Sequence, residues 1–182
     1  MGSEMCIRDR GYYGTFAANS MRLEKGYRAW GMDLTTERTP IEAGLKRFVL
    51  SEDREFTGKT TMLERQQSSN WCMVLLELES INQDPVDPFY AHAVLCDERV
   101  IGVVTSGAYG HRTAKTLALA YLNDAIVTGQ LLINQPLNGR LHVNILGKSR
   151  EAKIQEQIPY DPGNQMMKTN TKLNTKTELT NE

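Results

Sequence analysis

Between Asn19 and Leu34 the chain gathers side chains able to grip a ligand: Arg22 and Arg28, Glu24 and Asp33, Tyr27 and Trp30. A carboxylate accepts N–H donors in pairs, a guanidinium offers a planar fork of donors to an anion, and an aromatic face stacks on a flat ring. Each type also has a structural use. Arg22 and Glu24 can hold a helix to a sheet, and Trp30 can fill a core.

The elements around this stretch read as a helix end, a tight turn and an aromatic loop. A helix is expected from Gly11 to Gly26, with Phe16, Ala17 and Ser20 on its buried side. Lys25 followed by Gly26 is its stop signal, a cation near the carbonyl end and then a residue that tolerates the left-handed conformation. Arg22 and Glu24 stand two apart and point to different sides, so each needs its own partner. Thr39 is placed to cap a short helix with Pro40 at its first position and Glu42 in its first turn. Arg47–Leu50 reads as a short strand. Ser51–Glu55 reads as a solvated loop, and Lys59 to Gln67 as a helix with Met62 and Leu63 inward.

From Trp71 onward the period becomes that of strands. Strands are expected at Trp71–Glu79, Ala91–Cys96, Arg99–Thr105, Thr116–Leu122, Gln130–Ile133 and Leu141–Leu146. Asp97-Glu98 forms a hairpin turn, Asn82–Pro88 a turn-rich loop, and Ser106–His111 a loop with two glycines. Glu151–Glu156 follows a turn at Gly147. Such a series of short strands suggests an antiparallel barrel or sandwich.

Three motifs carry a resemblance: Arg22-Leu23-Glu24-Lys25-Gly26, Trp30-Gly31-Met32-Asp33 and Thr39-Pro40-Ile41-Glu42-Ala43-Gly44-Leu45. They resemble the aminomethyltransferase family, the T-protein of the glycine cleavage system. The run Asn19-Ser20-Met21-Arg22-Leu23-Glu24-Lys25-Gly26-Tyr27-Arg28-Ala29-Trp30 is closer to the folate-binding C-terminal half of the flavin-dependent dimethylglycine and sarcosine dehydrogenases. One departure favours that branch: aminomethyltransferases usually carry an arginine where this chain has Ala18.

The resemblance implies an α+β fold. Residues 11–70 would close a mixed α/β folate-binding unit, and residues 71–159 would form a C-terminal antiparallel β-barrel. It implies tetrahydrofolate as cofactor, with FAD in a missing upstream domain, and an N-methyl amine as substrate. The one-carbon unit would become 5,10-methylenetetrahydrofolate, with the catalytic aspartate upstream of this chain. Folate contacts fall to Arg22, Glu24, Trp30, Asp33 and Tyr109. A reduced pterin presents an edge of N–H donors to a carboxylate, and the polyglutamate tail needs cations. Alternatives are a stand-alone aminomethyltransferase served by a lipoyl carrier protein, and a non-catalytic folate-binding regulatory protein on the same fold.

The 182 residues have a formal net charge of −1, which gives no general pull toward nucleic acid or an anionic membrane. No apolar run approaches the ~20 residues that span a bilayer. Cys72 and Cys96 lack metal spacing and read as buried thiols, which fits a reducing compartment: the bacterial cytoplasm, or the mitochondrial matrix in a eukaryote. His92, His111 and His142 share no metal spacing and read as solvated. Gly58-Lys59-Thr60 lacks the earlier glycine of a phosphate-binding loop, since position 53 is Asp. Gly107–Gly110 is too short for a dinucleotide fingerprint and reads as a turn between strands.

Residues 1–10 match the in-frame translation of a transposase adapter used to prepare sequencing libraries, so the natural coding sequence is expected to start near Gly11, inside a gene. Such a C-terminal fragment is not expected to catalyse alone. Residues 160–182, rich in Asn, Thr and Lys, are expected to form a disordered polar tail.

Overall fold

A computed structural model describes residues 12–50, 55–79, 86–123, 140–166 and 168. The adapter-like start, most of the Ser51–Glu55 loop, the first part of the Asn82–Pro88 loop, the Gln130–Ile133 strand and the chain after Lys168 lie outside these residues. The described elements are helices α1 (Thr15–Glu24), α2 (Lys46–Val49) and α3 (Lys59–Ser68), then strands β1 (Trp71–Leu78), β2 (Ala93–Cys96), β3 (Arg99–Gly110), β4 (Lys115–Asn123), β5 (Leu141–Ile145) and β6 (Lys148–Ile154).

The strands close an antiparallel barrel in the order β1-β4-β3-β2-β5-β6, with β6 returning to β1. The expected α+β architecture with a C-terminal antiparallel barrel is thus present. Among the described strands, closure gives each one a neighbour on both sides, which removes the open sheet ends that are the usual hazard of an all-β unit.

β4 shows how the helical part attaches. Ala118, Ala120 and Leu122 point into the barrel beside Leu76, Val94, Val104 and Val143. Leu117, Leu119 and Tyr121 point outward, beneath Leu23, Ala43 and Met73. The strand is therefore buried on both faces, which accounts for its unbroken apolar run. Cys72 and Cys96, read as buried thiols, are half-buried and pack against the inner cluster.

α1 ends as the sequence predicts. Gly26 has φ +64°, its N–H donates to Leu23 O at 2.9 Å, and Tyr27 N–H donates to Arg22 O at 2.8 Å. This pair of bonds is a Schellman cap. Thr39 and Glu42 satisfy each other as in a capping box: Glu42 N–H donates to Thr39 Oγ1 at 3.2 Å, and Thr39 N–H donates to Glu42 Oε2 at 2.6 Å. Only a single turn follows before Gly44 at φ +71°.

Four expectations are corrected. Phe16 is 88% exposed and Ala17 is exposed; the buried face of α1 is Ser20, Leu23 and Glu24. The first turn of the helix projects beyond its first bond to the barrel, from Asn19 Nδ2 to Gly107 O. Residues 46–49 form a short helix rather than the strand read at Arg47–Leu50, because their amides are used locally, Leu50 N–H donating to Lys46 O at 2.9 Å.

The glycine-bearing segment 106–110 is strand, not turn, and the turn falls at residues 111–114. Its glycines answer to crowding. A Cβ at Gly107 would lie 2.4 Å from Pro88 O, and one at Gly110 would lie 2.8 Å from the Glu24 carboxylate. Finally, residues 160–166, assigned by composition to the tail, are bonded to the end of α1.

Candidate functional site

The stretch from Asn19 to Leu34 is organised by Asp33, whose side chain has no solvent exposure. Its Oδ1 accepts Thr105 Oγ1–H at 2.5 Å and Ser106 Oγ–H at 2.6 Å. Its Oδ2 accepts Ala29 N–H at 2.8 Å and pairs with the Arg22 guanidinium. Neighbouring strand residues normally face opposite ways. Here the register of β3 against β4 shifts between Val104 and Ser106, and this bulge turns both hydroxyls toward one carboxylate. Tyr121 Oη–H adds a bond to Asp33 O at 3.0 Å. Burial pushes the Tyr121 phenol up to about 12, so it stays protonated and donates at any ordinary pH.

The same bonds shape the loop. Leu34 N–H and Asp33 N–H both donate to Ala29 O, at 3.0 and 2.9 Å, and Gly31 takes φ +86°. The closed turn carries Trp30 at its tip, 75% exposed. Trp30 therefore does not fill the core. Arg28 braces the loop from below, donating to Gly26 O at 2.9 Å and Ala43 O at 3.1 Å. Burial pulls its guanidinium below the ordinary value, with the nearby Asp33 charge acting the other way.

Arg22 and Glu24 do find separate partners. Arg22 reaches Asn19 Oδ1 and Asp33 on one side of α1. Glu24, 2% exposed, accepts at Oε1 from Arg112 N–H and Thr113 N–H, each at 2.8 Å, and from Thr113 Oγ1–H at 3.1 Å. It thereby ties α1 to the turn between β3 and β4.

Ser20 Oγ–H donates to Tyr109 O at 2.6 Å and fixes the adjoining strand. Between α1, β3 and Phe89 lies a cleft of about 440 Å³, lined by Phe16, Met21, Glu24, Tyr109, His111 and Arg112 among others. Tyr109 is 37% exposed, with His111 edge-on to its ring at 5.1 Å.

The five sequence-predicted site residues fall into three places. Arg22 and Asp33 meet in the buried network, Glu24 and Tyr109 line the cleft, and Trp30 stands on the loop tip. Thr105, Ser106 and Thr113 were missed, although they complete the two carboxylate sites. Ser106 alone stood beside a glycine in the segment read as loop; Thr105 was read as the end of a strand, and Thr113 carried no signal. Among the described residues, no group of three His, Cys, Asp or Glu side chains forms a metal site.

Glu42 is a third buried carboxylate. Burial pushes it up, but hydrogen bonds from Ser69 and Thr39 outweigh that and hold it below the ordinary glutamate value of 4.5. The ionised form therefore favours the folded state. Its contribution is complete above pH 4.5 and is lost as pH falls through the depressed folded value. Thermal melts between pH 6 and 3 should show an acid loss of stability that Glu42→Gln makes shallower; parallel curves for the two proteins would contradict this.

The Glycine cleavage T-protein C-terminal barrel domain matches residues 72–161, and the GCVT N-terminal domain matches residues 7–52. The mitochondrial dimethylglycine dehydrogenase of Rattus norvegicus is 34% identical over 143 residues, 78% of this chain and 16% of that protein. The mitochondrial sarcosine dehydrogenase of Mus musculus is 30% identical over 156 residues, 85% of this chain and 16% of that protein. The crystal structure of the glycine cleavage system aminomethyltransferase T from Bartonella henselae aligns with a TM-score of 0.62 at 28% identity, covering 80% of this chain and 38% of that one. The chain thus spans about a sixth of the length of these two curated relatives.

Proposed function

The chain belongs to the glycine cleavage T-protein family, and from that premise we propose that it supplies one wall of a tetrahydrofolate site in a dimethylglycine or sarcosine dehydrogenase-like enzyme. The observation that carries this reading is the pairing of a fully buried anchor, Asp33, with a Trp30 ring left 75% exposed on the loop it anchors. An exposed indole on a rigid turn loses little freedom when a flat ring stacks on it.

The residues suit such a ligand, with roles divided between surface and interior. Trp30 and Tyr27 offer open rings, and Tyr109 offers one at the cleft. Arg22, Glu24 and Asp33 hold these rings in position: both oxygens of Asp33 accept protein donors, and Glu24 accepts three at Oε1. Bound tetrahydrofolate would supply the nitrogens that take up a one-carbon unit. The protein's part is to hold folate and amine together in an enclosed space, so that the carbon is not lost to water. FAD would belong to a unit outside this chain. The reaction would take place in the mitochondrial matrix or the bacterial cytoplasm, according to the source.

The fold shared with the Bartonella protein supports a second reading, an aminomethyltransferase acting with a lipoyl carrier protein. Ala18 weighs against it.

Thermal stabilisation by tetrahydrofolate, measured on the product of the whole gene that carries this chain, tests the reading. Absence of any shift at millimolar tetrahydrofolate removes both versions. Trp30→Ala should weaken binding about three- to tenfold, the worth of one stacked ring pair, with little change in stability. Unchanged affinity would move the site elsewhere.

A further inference from the structure

We propose that residues 155–166 form a strap that sets the end of α1, and through it the Trp30 loop and Arg112, in position to receive the ligand. The chain leaves the barrel after β6 with Gln155 N–H donating to Leu75 O at 2.8 Å and Gln155 Nε2 donating to Glu77 at 2.8 Å. It then doubles back over α1. Ile158 lies 3.5 Å from where a Cβ on Gly26 would sit, so it covers the Schellman turn. Tyr160 N–H donates to Glu24 O at 3.0 Å, satisfying one of the carbonyls that a helix end leaves open.

Lys25 is the main attachment. Its ammonium donates to Asp161 O at 2.8 Å, Asn164 Oδ1 at 2.8 Å and Asp161 Oδ2 at 3.4 Å. All three of its donors are therefore directed at the strap, and its side chain is 15% exposed. The Asp161 carboxylate is held in turn by Gln165 N–H at 2.7 Å.

The Tyr160 ring joins the two sides of the site. Lys25 Nζ lies 5.7 Å from its centroid and the Arg112 guanidinium 5.8 Å. Both distances fall within the range where a cation is attracted to a ring face. Arg112 N–H is bound in turn to Glu24 Oε1. Contacts therefore run in a closed circuit from Glu24 to Arg112 to Tyr160 to Lys25, through three segments remote in sequence. Opening it at Tyr160 frees the C-terminal end of α1, from which the Trp30 loop departs, and the turn that carries Arg112 at the cleft.

The ligand part of this proposal rests on the folate reading above, so the experiment has two arms. Amide hydrogen exchange on the full chain compares the parent protein with Tyr160→Leu, Tyr160→Phe and Lys25→Met. In Tyr160→Leu and Lys25→Met, the amides of Tyr27, Arg112 and Thr113 should exchange about tenfold faster while those of β5 and β6 keep their rates. Tyr160→Phe, which keeps the ring, should behave as the parent. Unchanged exchange at the three amides overturns the strap, and so does faster exchange everywhere, which marks a merely structural role. If Tyr160→Leu does not fold, Lys25→Met decides by the same criteria.

The second arm titrates tetrahydrofolate into the whole gene product carrying the same changes. Local loosening with weakened affinity supports the proposal; local loosening with unchanged affinity overturns it. If the parent protein itself binds no tetrahydrofolate, the folate reading fails, and exchange alone judges whether the strap sets the loop.

Discussion

Asp33→Ala should lower folding stability by about 3–5 kcal/mol, the cost of removing one partner from a buried ion pair. Four donors converge on this carboxylate from Arg22, Ala29, Thr105 and Ser106. Alanine leaves the Arg22 guanidinium without its counter-charge and strands the buried Ser106 hydroxyl, while Thr105 keeps Leu119 O as an acceptor at 3.2 Å. For a chain of this size the melting temperature should fall by about 10 °C, at roughly 2–4 °C per kcal/mol. Asp33→Asn should fall between the two, since one oxygen can still accept from Thr105 and Ser106 while the amide hydrogens meet Arg22 badly. A double-mutant cycle locates the effect. Arg22→Met on the Asp33→Ala background should cost less than Arg22→Met alone, because the charge it removes is already unpaired. Additive losses, or an Asp33→Ala loss under about 1 kcal/mol, would show that the carboxylate does not anchor the loop.

That carboxylate also shows how far the sequence could be read. The Trp-Gly-x-Asp motif drew attention to Asp33, and local rules predicted its surroundings well. The Lys25-Gly26 stop, the Thr39 cap, the Asp97-Glu98 hairpin and the alternation of Leu141, Val143 and Ile145 all appear. These features depend on neighbours a few residues away, where propensity and spacing carry the information.

What was not legible depends on contacts across the chain. The bulge that aims Thr105 and Ser106 at Asp33 is a register shift between two strands, and a single strand's pattern does not encode it. Gly107 and Gly110 suggested a turn because glycine is common in turns. Their actual reason is crowding by Pro88 and Glu24, which come from other segments. Phe16 falls on the predicted stripe, yet its turn of helix has no sheet beneath it, so periodicity alone overstated its burial. Tyr160 and Asp161 sit in a composition that reads as tail, while the partner that orders them, Lys25, lies 136 residues from Asp161.

Glu24 tests the same idea on the other side of α1, and there the two available substitutions separate charge from shape. Glu24→Ala removes the acceptor of Arg112 N–H, Thr113 N–H and Thr113 Oγ1–H together. Two backbone donors then remain at a turn they had shaped; Arg112 is exposed and Thr113 half-buried, so water can reach both, and the cost is that of lost bonds to a charged acceptor rather than of stranded buried groups. The expected loss is therefore about 2 kcal/mol, read as the shift of a urea midpoint at constant slope. Glu24→Gln keeps an oxygen of the same reach and should recover about half of it, because an amide accepts these bonds without the added strength of an ionised group. The two variants should also differ at Tyr109, whose strand leads into the turn. In Glu24→Ala the ring loses its fixed distance to His111, and its near-ultraviolet circular dichroism should weaken; in Glu24→Gln it should persist. If glutamine is as damaging as alanine, the negative charge itself is what the turn requires, and Glu24 then works by electrostatic attraction to Arg112 and its neighbours rather than by the geometry of its oxygen.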